Sequence, residues 1–254
     1  MIAVSAVLPE RPDGRPPLIL VHGAVSSASI WTFWQRELAA RGWPAYAIDL
    51  RGHGASAPID LSRTGMQDYA ADVARLAEQL KRKPVLVGWS MGGLVAMMVA
   101  AAGQAAACVA LAPSRPADRV NASIALRTGE FGPEEYGIAG RDPDNQRAMP
   151  DLDRDERLIA LAALGRDSRL ARDERQRGVL IESLPCPLLI VTGTLDRQWP
   201  RERYADLRLP ADYLQVEGAS HWGLVLNRRA LEQTVPRVLD WIAGVTAEGV
   251  RDQA

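Results

Sequence analysis

The stretch Val85–Met98, VLVGWSMGGLVAMM, decides how this chain is read. It opens as an apolar, β-branched run, Val85–Trp89, and resumes after Gly93 as an alanine- and methionine-rich segment. One hydroxyl, Ser90, stands at the break, with Gly88 two residues before it and Gly92 two residues after. A strand that turns at once into a helix must fold back tightly at that serine. Side chains at the two flanking positions would collide, so sterics demand glycine there. The same turn aims the Met91 N–H at a negative charge developing beside Ser90, next to the positive end of the following helix. Gly93 lets the start of that helix pack close to the sheet.

Similar apolar runs recur along the chain: Pro17–His22, Ala45–Leu50, Cys108–Ala112, Pro187–Thr192 and Tyr213–Glu217. Continuous apolar runs of this length read as strands buried on both faces, as in a parallel sheet. Helical spacing lies between them, in Ile30–Arg41, Gln67–Lys81 and Asn227–Ala243. Strand and helix alternate, which predicts an α/β fold with a doubly wound sheet. Ile2–Leu8 could add an edge strand. Leu94–Pro113 is apolar enough to imitate a membrane span, but the Gly103-Gln104 break divides it into a buried helix and a buried strand.

Arg115–Ser183 departs from this pattern. It is rich in charge and has no strand-like run. Asp151–Leu164 and Asp167–Arg177 read as amphipathic helices, each starting on an aspartate suited to an N-cap. The expected organisation is a core of residues 1–114 and 184–254 with a helical cap, 115–183, over one end of the sheet. A disordered charged insert is the alternative, since Glu130–Pro150 is rich in Gly, Pro and Asp. Solvated outer faces are the default reading of the cap's charges. An inward arginine such as Arg115 or Arg119 would favour an acidic substrate.

Bulk properties exclude several classes. The chain has 254 residues, 47% hydrophobic and 24% charged, with net charge −1. That balance favours neither nucleic acid nor an anionic membrane as partner. Cys108 and Cys186 are too few and too far apart for a disulfide scaffold. MIAVSAVLPERP lacks the basic region of a secretory signal, so the expected location is cytoplasmic.

Ligands of open α/β sheets bind beyond the carboxyl ends of the strands. There the chain places Ser90, then Asp196 after Pro187–Thr192, then His221 after Tyr213–Glu217. Acyl transfer needs this set. A serine hydroxyl is a poor nucleophile until a base takes its proton. Histidine, with a free pKa of about 6.5, can accept that proton and return it to the leaving group. A buried carboxylate fixes the imidazole tautomer and stabilises its charged form. His22 and His53 lie in tight glycine turns and read as structural, leaving His221 as base. Asp196 is preferred over Asp206 and Glu217 because it directly follows a buried strand. The three histidines share no ligand spacing, so no metal is expected, and RGHG is not a phosphate or dinucleotide loop.

At this point the chain resembles the α/β-hydrolase superfamily. His22-Gly23, DLRGHG at Asp49–Gly54, GWSMG at Gly88–Gly92, TGTLD at Thr192–Asp196 and GASHW at Gly218–Trp222 carry the likeness. The resemblance implies Ser90 as nucleophile, Asp196 as acid and His221 as base, with Ala24 giving the second oxyanion N–H beside Met91. It also implies a mostly parallel sheet of about seven or eight strands, helices on both faces, a cap entering after the sixth strand, and no cofactor. About sixteen residues precede the first buried strand, so the usual leading hairpin is expected to be incomplete.

Five of seven tryptophans lie near proposed catalytic elements: Trp31, Trp34, Trp89, Trp199 and Trp222. Val25, Trp89 and Trp222 are the expected substrate-binding residues, forming a wall for an apolar acyl or ring group. Core packing is the competing role for each tryptophan. The expected activity is hydrolysis of a small or medium carboxylic ester or lactone through an acyl-enzyme. Alternatives on the same triad are C–C bond hydrolysis and perhydrolase-type chemistry. A non-catalytic ligand-binding protein on this fold is the alternative of another class. Dehalogenase and epoxide hydrolase chemistry needs a carboxylate where Ser90 stands.

Overall fold

All six apolar runs, and Ile2–Leu8 with them, become strands of one sheet in the computed structural model, which describes residues 1–11, 14–138 and 140–251. In chain order the elements up to the insertion are β1 (Ala3–Val7), β2 (Leu18–Val21), α1 (Thr32–Ala40), β3 (Ala45–Asp49), α2 (Met66–Gln79), β4 (Val85–Trp89), α3 (Met91–Ala101) and β5 (Ala107–Leu111). The insertion contributes β6 (Glu130–Phe131), α4 (Arg154–Ala163), β7 (Asp167–Ser168) and α5 (Arg169–Arg177). The sheet resumes with β8 (Leu188–Gly193) and β9 (Asp212–Val216), followed by α6 (Gly223–Leu226) and α7 (Arg228–Arg251).

The strand order is β1-β3-β2-β4-β5-β8-β9. Only β1 runs antiparallel, against β3. The central strands β2, β4, β5 and β8 are buried throughout, as both-face coverage requires. Alternate residues serve opposite faces. Leu18, Leu20, Val85, Val87 and Trp89 join the core beneath α1, α6 and α7, with Trp31, Trp34, Leu231 and Val238. Ile19, Val21 and Leu86 join the core beneath α2 and α3, with Tyr69, Val73, Leu94 and Met97. The Leu94–Pro113 run thus divides into α3 and β5, and among the described residues no helix is long and apolar enough to cross a membrane.

Three expectations need correction. Among the described residues the insertion follows the fifth strand, β5, not a sixth, because β1 alone precedes β2. Four prolines between Leu8 and Leu18 leave no run able to donate to a second leading strand. The insertion also contains strand pairing: β6 pairs with β7, and a parallel bridge, Ala117–Leu180, closes its neck. Finally, its helices start later than expected. Asp153, in a capping box with Glu156, caps α4, and Ser168 caps α5. Asp151 and Asp167 are engaged elsewhere.

Several of the insertion's carboxylates face the core rather than water. Glu174 accepts the Met66 N–H at 2.6 Å and Glu156 accepts the Arg228 N–H at 2.9 Å. These amides open α2 and α7, where a helix dipole favours negative charge. Asp167 is fully buried and accepts the Tyr69 hydroxyl at 2.6 Å.

Candidate active site

The elbow after β4 has the strain its sequence implied. Ser90 sits at φ 55°, ψ −117°, a region that non-glycine residues occupy at a cost of order 1–3 kcal/mol. Backbone hydrogen bonds hold it there: its N–H donates to the Leu111 carbonyl at 2.9 Å, and its carbonyl accepts the Ser114 N–H at 2.9 Å. The flanking glycines are sterically fixed. A Cβ at Gly88 would lie 2.1 Å from the Gly92 carbonyl oxygen. A Cβ at Gly92 would lie 2.3 Å from the carbonyl oxygens of Val21 and His22.

Asp196 follows β8 and His221 follows β9, both on the edge where Ser90 emerges. His221 Nδ1 donates to Asp196 Oδ2 at 2.7 Å, which leaves Nε2 as the free ring nitrogen. The other carboxylate oxygen accepts the N–H groups of Gln198 and Trp199, each at 2.9 Å. Burial alone would raise the Asp196 pKa. The His221 hydrogen bond and charge, with the two amides, outweigh burial and hold the carboxyl below its ordinary range.

Ser90, Asp196 and His221 line one cavity of about 920 Å³, together with Ala24, Val25, Trp89 and Trp222. Trp89 packs against both His221 and Trp222, with ring centroids 5.0 and 4.7 Å away, and its Nε1–H donates to the His221 carbonyl at 3.0 Å. Trp199 also reaches the cavity, whereas Trp31 and Trp34 are fully buried and meet edge to face in the core. The Met91 side chain is fully buried in the core beneath α3, so only its backbone is turned to the elbow. Among the described residues, the N–H groups of Ala24 and Met91 carry no hydrogen bond.

The two aspartates read as helix caps reach across to the loops that carry Val25 and His221. Asp167 Oδ2 accepts the Val25 N–H at 2.9 Å. Asp151 Oδ2 accepts the Ser220 N–H at 3.0 Å, one residue before His221, and the Asn227 side-chain amide at 3.1 Å. Behind Val25 lies a buried histidine pair. His22 donates from Nδ1 to the Gly23 carbonyl and accepts the Leu50 N–H at Nε2. Burial first, then the His53 charge, lower its pKa to about 4. Burial acts the same way on His53, but the Asp167 carboxylate, 3.6 Å from Nε2, reverses it and raises that pKa.

Sequence reasoning missed Asp151, Asp167 and the insertion's contribution to the cavity wall. Arg115 does line the cavity, but it is paired with Asp118 and Asp206; Arg119 does not line it. Arg172 and Arg175 do. Their spacing of three residues on α5, one face of a helix, was the available signal.

Comparison with known proteins agrees with this architecture. Residues 18–236 match the alpha/beta hydrolase family, and the chain belongs to that family. The pimeloyl-(acyl-carrier protein) methyl ester esterase of Klebsiella pneumoniae is 30% identical over 219 residues, 81% of this chain and 76% of that protein. Among solved structures, a thermophilic esterase from Thermogutta terrifontis superposes with a TM-score of 0.72 at 22% identity, covering 96% of this chain and 94% of that one. A monoacylglycerol lipase from Paleococcus ferrophilus superposes with a TM-score of 0.70 at 20% identity, covering 96% and 99%. These two likenesses are of fold.

Proposed function

We propose that the protein is a serine hydrolase that cleaves a small or medium carboxylic ester or lactone through an acyl-enzyme. The observation that carries this reading is the 2.7 Å bond from His221 to Asp196 in the wall of the cavity into which the Ser90 elbow opens. The Klebsiella relative, by its name a methyl ester esterase, supports the ester class.

In this reading Ser90 Oγ attacks the substrate carbonyl while His221 Nε2 takes its proton. Asp196 holds the tautomer that keeps Nε2 available and stabilises the imidazolium once it forms. The unengaged N–H groups of Ala24 and Met91 stabilise the oxyanion. His221 then protonates the leaving alcohol, and a water activated by the same nitrogen releases the acid. Val25, Trp89 and Trp222 give the acyl or ring group an apolar wall.

The test combines labelling with kinetics. Ser90→Ala is expected to lower turnover of p-nitrophenyl butyrate by roughly 10⁴-fold or more. A fluorophosphonate probe is expected to label the native protein at Ser90. Undiminished turnover in the variant, or a label on another residue, overturns the assignment.

A further inference from the structure

The cavity is electrically lopsided. Arg115, Arg147, Arg172, Arg175 and Arg197 line it, against the carboxylates Glu135 and Asp196. Pairing accounts for part of the excess. Arg115 is bound to Asp118 and Asp206, Arg172 to Glu135, and Asp196 to His221. Among the described residues no carboxylate pairs with Arg147, Arg175 or Arg197. Arg147 and Arg197 are exposed.

Arg175 is different. It is half-buried, and its contacts are neutral and long: the Ser114 hydroxyl at 3.4 Å, the Tyr136 hydroxyl at 3.3 Å and the Ala171 carbonyl at 3.4 Å. A guanidinium gains most from a carboxylate that matches its planar fork, and among the described residues none is bonded to Arg175, although its charge reaches the buried Asp167 and helps hold that carboxyl low. Burial and then the charge of Arg175 lower the pKa of neighbouring Arg172, a repulsion that an anion between them would relieve. Ser114 is also tied to the elbow, since its N–H donates to the Ser90 carbonyl. Arg175 is therefore linked to Ser90 through one residue. Trp89, Trp222 and Ile138 supply apolar wall for a methylene spacer.

We propose that Arg175, with the hydroxyls of Ser114 and Tyr136, is a carboxylate subsite, and that the substrate is an ester whose acyl part ends in a second, free carboxylate. This rests on the esterase reading above and names its substrate class.

The test compares mono-p-nitrophenyl esters of succinic, glutaric and adipic acids with p-nitrophenyl esters of neutral acids of equal length. At least one half-ester is expected to exceed its neutral partner in kcat/KM by about tenfold or more. In Arg175→Gln that ratio falls towards one, and Arg175→Lys keeps part of it. No preference at any length in the native protein, or an unchanged ratio in Arg175→Gln, overturns the subsite. If Arg175→Gln does not fold, free glutarate is tested as an inhibitor of neutral-ester hydrolysis by the native protein. Stronger inhibition than by butyrate at equal ionic strength supports the subsite, and equal inhibition overturns it. Loss of turnover on every ester, with no fluorophosphonate label on Ser90, overturns the esterase reading instead. The subsite is then judged by whether glutarate, and not butyrate, raises the melting temperature of Ser90→Ala.

Discussion

Asp167 and Val25 grip each other across the boundary between insertion and core. The carboxylate accepts the Val25 N–H at 2.9 Å, and the Val25 carbonyl accepts the Gly165 N–H at 2.9 Å. Val25 stands at φ 53°, a strained conformation for a β-branched residue. The insertion thus holds that strain in place, one residue from the amide proposed for the oxyanion. Asp167→Ala leaves the Tyr69 hydroxyl and this amide without their acceptor, and His53 without the carboxylate beside it. It is expected to cost about 3–5 kcal/mol of stability, as breaking a buried pair does. Urea unfolding measures this, and a loss below about 1 kcal/mol would show that the grip contributes little.

Asp151 plays the corresponding part on the histidine side. Asp151→Ala removes the acceptor of the Ser220 N–H and one of the two bonds of the Asn227 side-chain amide, whose bond to the residue 151 carbonyl remains. The expected result is a folded protein whose kcat falls about tenfold to a hundredfold while KM changes little, since misplaced catalytic groups lose rate rather than binding. Steady-state kinetics on one p-nitrophenyl ester decides it. A rise in KM alone would place Asp151 in substrate binding.

The elbow glycines tolerate no side chain. With neighbours at 2.1 and 2.3 Å, Gly88→Ala and Gly92→Ala force backbone apart. Each is expected to cost more than about 4 kcal/mol and to leave little soluble protein. Near-native thermal melts for either variant would contradict the packing described.

The buried histidines give stability two opposite pH dependences. His22 has a folded pKa of about 4, against about 6.5 when free. Between these values the unfolded chain binds a proton that the folded protein refuses, so stability falls as pH drops from 6.5 towards 4. His53 has a raised folded pKa. Its contribution is complete below pH 6.5 and is lost as pH rises through that folded value. Ring-nitrogen NMR titration is expected to show His22 neutral at pH 5 while His53 is charged. The reverse order would refute the assignment.

Trp89 offers an optical readout. It lines the cavity and touches His221 and Trp222. Saturation with an apolar acid product is expected to change the tryptophan emission. An unchanged spectrum removes the aromatic wall from the proposed site.

The sheet was legible because burial writes itself into local sequence. Val85–Trp89 or Leu188–Gly193 can scarcely be other than covered strands, and the Gly88–Gly92 spacing encodes a local steric demand. Asp151 and Asp167 were misread for the complementary reason. An aspartate before a helical pattern carries a local meaning, N-cap, yet both spend their carboxylates on amides far away in sequence: Ser220 is 69 positions from Asp151, and Val25 is 142 from Asp167. No periodicity records such a partner. The charges of the insertion were misread likewise, because composition does not distinguish a carboxylate facing water from one facing the first turn of another helix.

The insertion leaves after β5 and returns at β8, its neighbour in the sheet, with its neck closed by the Ala117–Leu180 bridge. A segment that departs and re-enters at one place is a module: it can be lengthened, shortened or exchanged without rethreading the sheet. Yet this module is not free of obligations. Whatever replaces it must present one acceptor to the Val25 amide and another to the Ser220 amide. A graft chosen only to reshape the pocket would meet the socket but omit these two fastenings.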